Sequence, residues 1–470
     1  MRDETDVPEA PATPQPKLTP ANENPWYVLM TLYGDDHERN RKAWNAWIGQ
    51  ALSDSQRLLV SEIDPEIVIE LAAWPNLREQ ITQLYRTRLG GGTLEKELKL
   101  PNPEHLIHLS RLKVDQPLTI DRMVFGNGLV IANCRFREVY AEGAVFLTSV
   151  SVRNSTFQSS FFAISSVWKS GVSFSGVQFD DVVFTRSRFE GEFNFHGVTC
   201  EGSATFDDCA FGGYTGYSDV TFEQPASWTS AEFTDHASFT TCYFKESSKH
   251  RIGPTFSLAR FEKPASFRHS KFRCGHPVFD GTVLHDRTTF AANPDHWPEV
   301  HEKRRSSTDS ERLETARETC ATIRHLLAKQ GLPEDEHFFF RREMHFAGRI
   351  GPIRQRLPYL LFGWFSEYGY SIARPFWWLF AIWLLGTFVI AQHFVAETAK
   401  PLLGSDDWTA MALSFSNLFP VFGFGRVYFG AEFLQALPQH LKVLSGFQTV
   451  ASLPLLFFLG LGLRQRFRLR

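Results

Sequence analysis

The spacing of apolar and polar positions divides the chain into three regimes. From about Leu118 to Phe290, phenylalanine returns at steps of five or about eleven. Phe174, Phe179, Phe184 and Phe189 form the cleanest run, and Phe125, Phe136, Phe146 and Phe157 take the longer step. Two positions before many of these rings stands a small residue, as at Cys134, Ser155, Ser187, Cys209, Ala231, Cys242, Ala259 and Ser270. The intervening positions are mostly Asp, Arg, Glu, Thr, Ser and Lys. A five-residue period suits neither an amphipathic helix nor an alternating strand. A short fixed period marks a stacked solenoid. The spacing therefore predicts β-coils with one inward ring per side, stacked on the ring of the next coil, and a small residue at each crowded corner.

A second regime has helical spacing. Asp35 to Leu52 and Asp64 to Leu89 read as helices, the first placing Trp44, Trp47, Ile48 and Leu52 on one face as core residues. Asp309 to Gly348 reads as two more, with Leu313, Ala316, Cys320, Ile323 and Leu327 on one stripe and Gly331-Leu332-Pro333 as the break. The third regime is apolar throughout. Pro375–Ala396 and Val443–Leu463 contain no Asp, Glu, Lys or Arg, and each reaches the roughly 20 residues needed to cross a bilayer. Between them, Trp408 to Gly425 is apolar but broken by Pro420, Gly423 and Gly425. Asp406 or Asp407 is placed to cap a short helix from Trp408 to Phe419, with non-helical backbone at Phe422–Gly425.

These regimes predict five segments: a disordered tail (1–24), a helical N-terminal cap (25–110), the β-helix (111–295), a helical cap and linker (309–372) and a two-span hairpin with a channel-like loop (373–470). The tail is rich in Pro, Glu, Thr and Asn and lacks the apolar run of a secretory signal. A cap is expected because the first coil of a solenoid exposes unpaired strand edges.

The pentad pattern, with the Asn24-Pro25-Trp26-Tyr27 stretch ahead of it, resembles the pentapeptide-repeat family over about 170 residues. The resemblance implies a right-handed quadrilateral β-helix. The C-terminal order of span, short re-entrant helix, Gly-containing turn and span resembles the pore module of two-span cation channels. Gly423-Phe424-Gly425 stands where potassium channels carry Gly-Tyr-Gly. No Thr-Val run precedes it and Arg426 follows it, so potassium selectivity is not implied. Pentapeptide-repeat proteins with this membrane tail are similar in architecture, and an ion-channel role is what that similarity implies. On this reading Ser416, Asn417, Phe422, Gly423, Phe424 and Gly425 line a pore. A lone hairpin cannot enclose one, so the resemblance implies a homo-oligomer, most simply a tetramer.

Charge changes the picture along the repeat, not in bulk, because the net formal charge is only −3. Glu201 to Asp235 carries acids and no Lys or Arg, whereas Lys245 to Arg273 is strongly basic. Lys249, Arg251, Arg260, Lys263, Arg268, Lys271 and Arg273 are the candidate ligand-binding residues of that band. By analogy with anti-phage effectors, the ligand is a nucleotide or a single-stranded DNA oligomer. A solvated face or contact with anionic lipid headgroups is the alternative reading.

Arginines flank the two spans (Arg349, Arg354, Arg356, Arg374; Arg464, Arg466, Arg468, Arg470), while the loop between is nearly balanced. The positive-inside rule then puts both termini and the β-helix on the cytoplasmic side of a bacterial inner membrane. The six cysteines show no CxxC pairing and read as reduced core residues. No catalytic signature or metal-ligand spacing is present, so neither enzyme activity nor a cofactor is expected. The alternative to a channel is a membrane-anchored scaffold whose β-helix binds a protein partner.

Overall fold

The computed structural model describes residues 17–90, 98–245, 253–299, 308–396 and 406–467. The chain divides into two compact units, residues 1–301 with 325–335, and residues 302–324 with 336–470.

The first unit is built on a β-solenoid of about eight parallel turns. One sheet runs through Ile107–Ser110, Leu129–Ala132, Val150–Arg153, Val172–Ser175, Phe193–His196, Thr215–Ser218, Ala237–Thr240, Ala265–Phe267 and Thr289–Phe290. A second sheet starts at Thr19–Pro20 and Leu112–Val114 and ends at Lys271–Phe272, with a side branch that begins at Leu118–Thr119. A third runs from Val124–Phe125 to Arg260–Phe261. Every strand pair is parallel, and successive partners such as Val150, Val172, Phe193 and Thr215 are one coil apart.

The rings expected inside are inside, and they stack as columns. Phe125, Phe146, Trp168, Phe189, Phe211, Phe233 and Phe261 follow one another at 3.9–5.8 Å between centroids. Tyr217, Phe239, Phe267 and Phe290 form another column at 4.9–5.1 Å. These spacings match the roughly 4.8 Å separation of hydrogen-bonded strands, so each coil sets its ring on the one before. The small residues at Cys134, Ser155, Ser187, Cys209, Ala231, Cys242, Ala259 and Ser270 are all buried. Where the occupant is serine it also satisfies backbone: Ser155 Oγ accepts from Cys134 N–H at 3.0 Å, and Ser270 Oγ from Cys242 N–H at 3.2 Å.

Immediately before these small residues the chain turns through the left-handed region. Asn133, Asn154, Arg186, Asp208, Ser230, Thr241, Leu258 and His269 all have φ between 47° and 62°. Such a conformation strains a non-glycine residue by about 1–3 kcal/mol. Repetition makes it tolerable, because the N–H of every one of these corners but His269 donates to a backbone carbonyl one coil on, as from Asp208 to Thr229 O at 2.8 Å and from Leu258 to Asp280 O at 2.8 Å.

Among the described residues five α-helices precede the main run of solenoid strands: α1 (Pro25–Met30), α2 (His37–Ile48), α3 (Asp54–Ile63), α4 (Ile67–Leu71) and α5 (Trp74–Leu89). Asn24 caps α1, accepting from Trp26 and Tyr27 N–H, and Pro25 occupies the first turn where its missing donor is harmless. The helix expected over 64–89 is divided, with Pro75 opening the first turn of α5. α3 was not anticipated, although Ser53 and Gln56 form a reciprocal capping box at its start. Trp44 and Trp47 are buried as expected. Residues 1–16 of the expected tail lie outside the described residues, and its last part is ordered, with Thr19–Pro20 paired to Leu112–Lys113 through backbone.

α2 meets the open edge of the third sheet. At Val124 the carbonyl accepts from Trp44 Nε1 at 2.8 Å, and the N–H donates to Asn45 Oδ1 at 2.9 Å. Asn45 also donates to Arg122 O, while the Arg122 guanidinium pairs with Asp64 at 2.7 Å and Glu66 at 2.8 Å. The Trp44 ring lies 5.2 Å from Phe125, at the head of the aromatic column. Side chains thus supply the partners that a further strand would have supplied.

The remaining helices are α6 (Thr308–Gln330), α7 (Pro333–Ala347), α8 (Ile353–Ser366), α9 (Ala373–Ala396), α10 (Asp406–Leu418), α11 (Phe424–Ala436) and α12 (Gln439–Phe467). The stripe on α6 is buried at Ala316, Cys320, Ile323 and Leu327, and Gly331 breaks the chain with φ 71°. α9 over Ala373–His393 and α12 over Gln439–Arg466 are long and apolar enough to cross a membrane. Both expose large apolar side chains, including Trp377, Leu385 and Phe388 on α9 and Val443, Val450 and Phe457 on α12. A water-facing helix does not ordinarily present such a surface.

Candidate functional site

Between the two apolar helices lies α10, joined to both by buried polar groups. Gln448, about a third of the way along α12, is 1 % exposed. Its Nε2 donates to Ile382 O of α9 at 3.1 Å and to Ser414 Oγ of α10 at 2.8 Å. Its Oε1 accepts from Asn417 Nδ2 at 2.9 Å, and the same amide donates to Ser445 Oγ at 3.1 Å. Ser414 Oγ in turn donates to Trp383 O at 2.9 Å, and Thr449 Oγ1 to Asn417 O at 3.2 Å. Gly386 leaves the space for the glutamine, since a Cβ there would overlap Gln448 Nε2. In an apolar environment such groups are tolerated only when they satisfy one another, as these do.

The six residues expected along a pore are divided by this arrangement. Ser416 is buried and donates back to Leu413 O, while Asn417 is engaged in the network. Phe422 is exposed at the end of the short 3-10 turn Pro420–Phe422. Gly423 is left-handed with φ 65°, and Phe424 and Gly425 already belong to α11. Non-helical backbone across Phe422–Gly425 is therefore confined to Gly423. The glycine ends the 3-10 turn and opens the next helix, a junction that φ > 0 requires. Phe422 and Phe424 stack at 5.4 Å beside it. Gly430, at φ 74°, puts a kink inside α11.

The basic band is dispersed in a different way. Lys249 and Arg251 lie outside the described residues. Arg260 is on the third sheet, Lys271 on the second, and Arg268 follows a strand of the first. Neighbours in sequence face different sides because successive strands of one coil belong to different sheets. Neighbours one coil apart share a side, and this sets the acidic stretch against the basic one. Glu223 pairs with Lys245 at 2.5 Å, Asp235 with Lys263 at 2.9 Å, and Glu232 lies beside Arg260 in the ladder. Lys263 and His236 together hold the Asp235 carboxyl well below the usual carboxylate range. Arg268, Lys271 and Arg273 have no ion-pair partner among the described residues.

Buried thiols stand at solenoid corners (Cys134, Cys209, Cys242), on an inward strand position (Cys200) and in α6 (Cys320), and burial keeps them protonated. Burial pushes Cys209 and Cys320 up to about 12, and Cys134, Cys200 and Cys242 upward in the same way. Among the described residues no three His, Cys, Asp or Glu side chains gather at metal-binding distance. The chain matches no protein-family model, and no curated protein matches it.

Proposed function

We propose that the protein is an oligomeric membrane channel, with a solenoid that receives a ligand and biases the pore between states. The observation that carries this reading is the lodging of α10 between two helices of membrane-crossing length by the Gln448–Ser414–Asn417 network. Span, short helix, glycine junction and span form one packed unit, and four copies around an axis would bring the Pro420–Gly425 junctions together. The solenoid in this proposal is a right-handed quadrilateral pentapeptide-repeat β-helix. The side branch of its second sheet and a further ring column, Phe184, Phe206, Trp228 and Phe256, support a fourth side. α1–α5 cap it, a role supported by the Trp44 and Asn45 bonds to the open edge at Val124. Both termini lie on the cytoplasmic side of a bacterial inner membrane in this proposal, a reading supported by Arg349, Arg354, Arg356 and Arg374 before α9 and by Arg464 and Arg466 at the end of α12. Its ligand is a nucleotide or short single-stranded DNA, and its setting a defence response, as in effectors of similar architecture.

A second reading is a tethered scaffold for a protein partner. It is favoured by the inward engagement of Asn417 and by the helical backbone at Phe424 and Gly425, which leaves few carbonyls free to coordinate ions. Ion flux from liposomes holding the full-length protein, beside a variant lacking Phe422–Gly425 that still inserts, separates the two. Flux from the intact protein alone supports the channel. Silence from both, with a monomer by native mass spectrometry, refutes it.

A further inference from the structure

Two of the three unpaired cations of the basic band, Lys271 and Arg273, gather at one place. Lys271 and Arg273 flank Phe272 at the last rung of the second sheet, so strand alternation points both side chains outward. The rung is held from two sides, the Phe272 ring lying 5.2 Å from Phe244 and 5.0 Å from Trp297. His269, two residues earlier, is exposed at a left-handed corner with φ 62°. The 3-10 turn Pro294–His296 then returns beside this rung. Asn293 caps it by accepting from Asp295 N–H at 3.0 Å, and Trp297 Nε1 anchors its end on Ala291 O at 2.8 Å. The turn brings the His296 ring to 6.1 Å from that of His269.

The cluster is electrostatically uncompensated. Burial, His269, Lys271 and Arg273 all lower the pKa of His296, and Asp295 alone opposes them. His296 Nδ1 is buried and has no hydrogen-bond partner. Elsewhere on the repeat Lys169, Lys245 and Lys263 meet acids one coil away, as Lys169 meets Glu190 at 2.6 Å, but here two permanent cations and two imidazoles meet none in ion-pair range among the described residues. A guanidinium fork, a mobile ammonium and two ring donors match a group with several oxygens and a charge near −2.

We infer that His269, Lys271, Arg273 and His296 form a binding site for a phosphoryl group, carried by a soluble phosphate compound or by a lipid headgroup. This deepens the ligand half of the proposed function and rests on that reading for its consequence, though not for the binding itself. Lys245, Arg260 and Lys263, already beside acids, are not part of it.

Titration calorimetry on full-length protein in neutral detergent, with pyrophosphate and separately with dihexanoyl phosphatidic acid, tests the site whether or not the protein conducts. Saturable binding of at least one probe is expected. It should weaken by about tenfold or more in Lys271→Ala/Arg273→Ala and stay unchanged in Lys263→Ala. Arg273→Lys should retain part of the affinity. Tighter binding of pyrophosphate assigns a soluble source, and tighter binding of the short-chain lipid assigns a headgroup. No saturable binding of either probe overturns the site. So does equal loss in Lys263→Ala, which would mark a diffuse field in place of a site. Circular dichroism melts of each variant verify that the solenoid is folded.

Discussion

Replacing Gly386 with alanine tests whether the polar network is what holds the helical unit together. The new Cβ would overlap Gln448 Nε2 and lie 2.6 Å from Ser414 Oγ, so the glutamine side chain must leave. With it go the bonds to Ile382 O and Ser414 Oγ and the one from Asn417. Side-chain hydrogen bonds between membrane helices are worth about 0.6 kcal/mol each, so the three amount to about 2 kcal/mol. Crowding a packed interface adds about 1–3 kcal/mol. Gly386→Ala should therefore destabilise the unit by about 3–5 kcal/mol, and Gln448→Ala by about 2 kcal/mol. In the double variant the methyl occupies space the amide has vacated, and the loss should stay near that of Gln448→Ala alone. The coupling energy is then about 3 kcal/mol or more, well outside the scatter of independent sites. Unfolding in mixed micelles, followed by tryptophan fluorescence, reports it, since Trp383 borders the network and donates to Met411 O. Additive losses in the cycle would refute the packing argument.

Three further outcomes follow from the solenoid. Leu258 is 63 % exposed at φ 59°, so Leu258→Asn should stabilise by about 0.5–1 kcal/mol, read as a higher thermal midpoint. Ala231, fully buried at a corner, has no room to grow, and Ala231→Leu should destabilise by about 1–3 kcal/mol in the same melt. Native protein treated with a disulfide reagent near pH 8 should release thiol signal from Cys274 alone, and all six cysteines should react after denaturation. The sign follows from burial, which raises the pKa of the inner thiols and keeps them protonated at that pH.

The ring columns were legible because burial on a fixed period writes itself into composition, and Phe is the residue that fills the inward position. The left-handed corners were not legible, since Asn, Arg, Asp, Ser, Thr, Leu and His all occupy them. Backbone geometry selects those positions, and no single side chain marks them. Their place just ahead of each small buried residue was nonetheless available in the spacing. The basic band misled for a related reason. In a solenoid, nearness along the chain says little about sharing a face, and Lys263 finds its partner in Asp235, a coil away. Between the two apolar helices, the short helix is readable from Asp406 onward, but the role of Gln448 is not. A lone glutamine in an apolar run carries no sequence signal of what it will bond.

Near-identical coils create a hazard during folding. A strand that skips one coil still finds a ring to stack on and a ladder to join, so a slipped chain loses little core energy. What distinguishes the native pairing is whatever fails to repeat. The charges are one such key, because Lys169, Lys245 and Lys263 meet carboxylates only in the correct alignment. Uneven coil length is another: the paired Thr215 and Ala237 stand 22 positions apart in sequence, while the paired Ala237 and Ala265 stand 28 apart. The irregularities of this repeat act as its alignment marks, and a version regularised to consensus would be expected to fold into several registers.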